Sequence, residues 1–165
     1  MKFSLANISD RKIKILIYFI FAITTVVLGT KLSLPYVLDE VGTVANTAFM
    51  AGDDWSLCVQ TMGGFYYKYG FSALYLPLYL IFKSNPVLMY KSMISLNMLI
   101  ISFIPVISYH ICRNYLNIKS KVQSLLISVP AVGISSIWLY SAYSRCDVIL
   151  IFLPWPILLL SLIHI

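Results

Sequence analysis

The chain has 165 residues, 60% of them apolar and only 11% charged, with a mean hydropathy of +0.87 and a formal net charge of +6. Soluble domains average about 45–50% apolar and about 25% charged, so an ordinary soluble domain is excluded as an expectation and an integral membrane protein is read instead. The twelve Lys and Arg are scattered between apolar runs with no basic stripe and no reader motif, which argues against nucleic acid as a partner and for loops positioned at a bilayer.

In chain order, Arg11, Lys12 and Lys14 open the first apolar run. Ile13 to Ser33 can cross a hydrocarbon core about 30 Å thick at about 1.5 Å per residue, with Lys14 and Lys31 snorkelling at its ends. The run leads into Lys31 without a small-residue cleavage site, and further hydrophobic segments follow, so an uncleaved first span is expected rather than a signal peptide.

Residues 34–91 form the expected external loop, and its first part, LDEVGTVANTAFMAGDDW, holds four of the six carboxylates: Asp39, Glu40, Asp53 and Asp54. Val41, Val44, Ala45 and Ala48 fall at i, i+3, i+4 and i+7, which predicts a short amphipathic helix over Glu40 to Ala51, with Asp39 near its start and Gly52 ending it. On one reading Asp39 merely caps this helix, worth about 1 kcal/mol, while Glu40 complements the helix dipole. The same acids suit a transferase, which needs a base to deprotonate an acceptor and cations to hold a departing phosphate. GGFYYKYG, Gly63 to Gly70, sets Lys68 among tyrosines that include Tyr67. Such a cluster fits a lipid phosphate or a sugar face, and equally an interfacial anchor. Phe71 to Phe82, FSALYLPLYLIF, is a helix of only about 18 Å with Pro77 inside it, too short to span, and is read as an interfacial helix.

Ser92 to Cys112 and Val122 to Ala142 are the second and third expected spans, and Val148 begins a fourth that runs to residue 165. The architecture expected is therefore an all-α, polytopic transmembrane bundle of about four spans. The positive-inside rule does not fix the path of Phe71 to Phe82, because seven cations fall inside and five outside whether or not that helix crosses. Between spans three and four, YSRCDV carries Arg145 and Asp147, charges that cost about 2.5–3.5 kcal/mol at membrane depth unless paired or wet. Cys58, Cys112 and Cys146 lack metal-site spacing and are read as idle thiols. His110 is read as a hydrogen-bonded histidine, and Ser95 and Asn97 as bonds between helices. The closing LSLIHI, Leu160 to Ile165, is similar to a translated sequencing adapter, so a fragment with foreign last residues is expected and His164 is given no role.

The order of these features resembles the N-terminal part of the GT-C glycosyltransferases: an Asp-Glu pair opening the first external loop, an amphipathic helix, GDDW, YYKYG, an interfacial helix and two spans ending at Arg145-Cys146-Asp147. The branch it is most similar to holds the protein O-mannosyltransferases and the lipid A aminoarabinose transferases. That resemblance implies a cell-envelope enzyme of the bacterial plasma membrane with a cytoplasmic N-terminus. Its partners would be a polyprenyl-phosphate-linked sugar, membrane lipid and a glycan, lipid or protein acceptor. Asp39 then matches the catalytic acid, Glu40 supports it, Lys68 matches a lysine on the carrier phosphate and Asp147 the acid of the second external loop, with Arg145 beside it. No cofactor is firmly implied. A divalent metal is an option, although Tyr67 stands where the aminoarabinose branch has a Glu. The alternative is a non-catalytic polytopic protein, a lipid-carrier flippase, transporter or assembly subunit.

Overall fold

A computed structural model describes residues 8–32, 38–61, 69–130 and 147–164, with backbone alone described at several helix ends, those of Asp39, Glu40 and Asp147 included. Among the described residues every regular element is a helix. They are α1 (Asp10–Leu32), α2 (Leu38–Met50), α3 (Ser56–Thr61), α4 (Tyr69–Phe82), α5 (Pro86–Ile101), α6 (Ile104–Asn114), α7 (Lys121–Ser128), α8 (Asp147–Phe152) and α9 (Pro154–Ile163).

Two of these runs are long and apolar enough to cross a bilayer, fewer than the four expected: Asp10–Lys31, and the 29 residues Pro86–Asn114 that join α5 and α6. The expected second span starts too late, because Asn85 caps α5, its Oδ1 accepting from the Leu88 amide at 3.1 Å with Pro86 in the first turn. The expected third span is described only at its start, in α7, and residues 131–146 lie outside the described part. The expected fourth, read from the sequence as cut short, is divided. Pro154 and Pro156 separate α8 from α9, and the apolar stretch Val148–Ile163 is below spanning length.

The two long runs lie antiparallel. At one end Asp10 accepts from Tyr109 Oη and Arg113 Nε, each at 3.1 Å, and Lys121 Nζ donates to the Ile8 carbonyl at 2.7 Å. Midway, Thr25 Oγ1 lies 3.1 Å from Ser102 Oγ. Beyond that, Gly29 packs so closely on Ile94 and Met98 that an added Cβ would stand 2.6 Å from the Met98 methyl. Helix α5 stops at Ile101 because Pro105 has no N–H to continue the ladder and its ring would strike the Ile101 carbonyl. Ser102 Oγ donates to the Met98 carbonyl at 2.6 Å, adding to the bond that carbonyl accepts from the Ser102 amide at 3.1 Å just before the break.

Helix α4, read from its length as interfacial, has one flank in the core. Phe71, Ser72, Tyr75 and Tyr79 are buried against α2 and α5, while Leu74, Leu80 and Ile81 face outward. Pro77 lies inside it on the exposed side, and the helix continues past it to Phe82. The main core joins Val44 and Ala48 of α2, Tyr75 of α4, Met93 and Met98 of α5, and Val148 of α8. Tyr75 is wholly buried and donates to Asn97 Oδ1 at 2.8 Å, an interhelical bond of the kind expected for Asn97. Ser95, by contrast, bonds back to the Lys91 carbonyl of its own helix at 2.7 Å.

Candidate functional site

Helix α2 carries Val44, Ala45 and Ala48 inward, as their spacing predicts, and stops where expected. Gly52 has φ +87°, its amide donates to the Phe49 carbonyl and the Asp53 amide to the Ala48 carbonyl, a Schellman ending that needs a residue at ease in the left-handed region. This turn delivers Asp53 to the end of α4. There Tyr79 Oη donates to Asp53 Oδ2 at 2.8 Å, and Lys83 Nζ lies 3.2 Å from both carboxylate oxygens. Tyr79 and Lys83 sit at i and i+4, so one helix face presents both donors. Asp54 acts locally, its Oδ1 accepting from Ser56 Oγ at 2.8 Å where α3 begins.

The electrostatics follow from these contacts. The hydrogen bond from Tyr79, then the Lys83 ammonium, hold the Asp53 carboxyl below its ordinary range. Burial, reinforced by the bond to Asp53, pushes the Tyr79 phenol up to about 12. At neutral pH this is a charged acceptor held by a neutral phenol and an ammonium, a fixed polar cluster and not an acid–base couple. Beside it opens a groove of about 340 Å³ with walls of Val41, Val44, Trp55, Pro86 and Met89, and with Tyr79 and Lys83 at its rim. Val41 belongs to the same helical turn as Asp39 and Glu40, so this groove begins beside the backbone of the acid pair.

Of the residues singled out in the sequence, Asp39 and Glu40 occupy the first turn of α2 and Asp147 is the first residue of α8. Val44 of α2 and Val148 of α8 enter one core cluster, which joins the two acid-bearing helices through shared packing. Tyr67, Lys68 and Arg145 lie outside the described residues. Among the described residues no three His, Cys, Asp or Glu side chains converge as a metal site would require. His110 is hydrogen-bonded, with Asn114 Nδ2 at 2.9 Å and Lys14 Nζ at 3.4 Å from its Nδ1. Sequence reasoning misses the Asp53–Tyr79–Lys83 cluster: its members are 26 and 30 positions apart, and the acidic loop is the one visible signal.

Comparison of the chain with protein-family models, with curated proteins and with solved structures finds no match.

Proposed function

We propose that the chain belongs to a membrane-embedded glycosyltransferase that moves a sugar from a polyprenyl-phosphate donor to an acceptor at the outer face of the bilayer. The observation that supports this reading is the antiparallel packing of α1 against α5 and α6. When two antiparallel helices each cross a membrane, the segment between them starts and ends on one face. The acid pair Asp39–Glu40 and the helix α4 then share that face, and α4 does not cross alone. Arg11, Lys12, Lys14, Arg113, Lys119 and Lys121 gather toward the opposite end, which the positive-inside rule assigns to the cytoplasm.

In this reading Asp39, supported by Glu40, takes the proton of the acceptor hydroxyl as its oxygen bonds to the anomeric carbon. The bond from that carbon to the carrier phosphate breaks, with inversion. Lys68 and Arg145 offset the charge that collects on the departing phosphate, and Asp147 supplies the acid of the second loop. Transfer from a radiolabelled polyprenyl-phosphate sugar by the full-length protein should fall by about a hundredfold or more in Asp39→Asn, the lower bound for losing a general base. Undiminished transfer would remove Asp39 from the chemistry.

One observation favours a second reading, a lipid-carrier flippase or transporter: the second long run is broken at Ser102–Phe103, and transporters bind their substrates at discontinuous helices. Carrier translocation in proteoliposomes that persists in Asp39→Asn, without sugar transfer, would select it.

A further inference from the structure

The groove beside Asp53 has a size, a lining and a position that together describe a ligand. Its volume of about 340 Å³ lies within the range of small-molecule sites, about 300–1,000 Å³, and its walls of Val41, Val44, Trp55 and Met89 are hydrocarbon and indole. Lys83 lines this groove, and Asp53, just behind the lining, is paired with it at 3.2 Å, with about a third of the Asp53 side chain and half of the Lys83 side chain exposed to solvent. A lone ammonium would select an anion, and a lone carboxylate a cation. A pair of both, closing an apolar slot, matches a molecule with a hydrocarbon tail and a headgroup carrying both charges.

The level of the groove narrows this further. Lys83 to Asn85 is the turn that leads into Pro86, the first residue of a 29-residue apolar run. The rim therefore sits at the end of a helix of spanning length, where headgroups meet chains, and Trp55 and Tyr79 bring the amphipathic rings typical of that level.

We infer that the groove between α2 and the α4–α5 corner binds one acyl chain of a zwitterionic phospholipid bearing a primary ammonium. Its phosphate faces Lys83 and its ammonium faces Asp53. Both protein charges stay compensated when the lipid arrives, because each exchanges part of its partner for the matching part of the headgroup. The site rests on the membrane reading above but not on sugar transfer.

The test uses the chain in bilayers of phosphatidylcholine containing a trace of phosphatidylethanolamine with a photoreactive diazirine in one acyl chain, and in parallel phosphatidylglycerol with the same chain. Peptides holding Trp55 and Met89 should be labelled about fivefold more by the ethanolamine lipid, the upper end of what a partly exposed ion pair provides. Val41→Trp, which fills the groove from a partly exposed position, should abolish this labelling while leaving that of the outward residues of α1, such as Phe19 and Ile23, unchanged. Asp53→Asn, at a partly exposed position, should erase the preference between headgroups without filling the groove. Equal labelling by the two lipids in the unaltered chain, or a preference that survives Asp53→Asn, overturns the inference. So does label found only on α1. A chain that fails to float with liposomes overturns the membrane reading as well, which separates the two failures.

Discussion

At Asp53 the carboxylate accepts from a buried phenol at 2.8 Å and an ammonium at 3.2 Å, and the pH response of the fold follows from both partners. The carboxyl has a lower pKa folded than unfolded, so its contribution is present above the ordinary value of 3.8 and is lost as pH falls through the folded value. The phenol is shifted the other way. Its contribution is complete below 10 and declines as pH rises from there to about 12. Trp55, beside both in the groove, should report each limb by fluorescence, and Tyr79→Phe should shift the acid limb toward 3.8 and delete one phenol titrating near 12 from the ultraviolet spectrum. Tyr75→Phe removes the donor to Asn97 and should cost about 0.5–2 kcal/mol in detergent unfolding, as interhelical hydrogen bonds do. The residue best read from sequence is one that acts on its near neighbours, Gly52 ending α2. Asp53 is visible as part of an acidic run, but its partners on α4 are set by helix packing that a single linear pattern does not encode.

Among the elements, α2 follows its apolar spacing, while α5 and α4 depart from theirs for identifiable reasons. Asn85-Pro86 is a helix-start signal in plain view, yet the apolar run further on draws the boundary to Ser92. Asn85→Ala should cost about 1 kcal/mol, measured by reversible unfolding, because the Leu88 amide loses its cap. Helix α4 is short for a membrane and therefore reads as interfacial, but Tyr75 and Tyr79 turn it into core, a role that length alone does not disclose. At Gly29 the close neighbour is the end of a flexible Met98 side chain. Gly29→Ala should thus stay within about 1 kcal/mol of the parent, helped by helix propensity, whereas Gly29→Leu should lose about 1–3 kcal/mol by overpacking α1 against α5.

For the molecule as a whole, the composition conveys an apolar helical protein and the order of its segments, but not which helices pair. The charge rule returns the same balance for either path of α4. Contacts between Asp10 and Arg113, Thr25 and Ser102, and Gly29 and Met98 supply the missing relation, an antiparallel pair with the acidic segment at one end and a cationic cluster at the other. Cysteines introduced singly at Ser84 and Lys119, both exposed, in a background without native cysteines, test that relation in a membrane. With a membrane-impermeant maleimide on intact cells, an antiparallel pair that crosses the membrane with its cationic end in the cytoplasm predicts that Ser84→Cys is labelled from outside and Lys119→Cys only after lysis. Labelling of both from one side, or of Ser84→Cys from the cytosol alone, would contradict it.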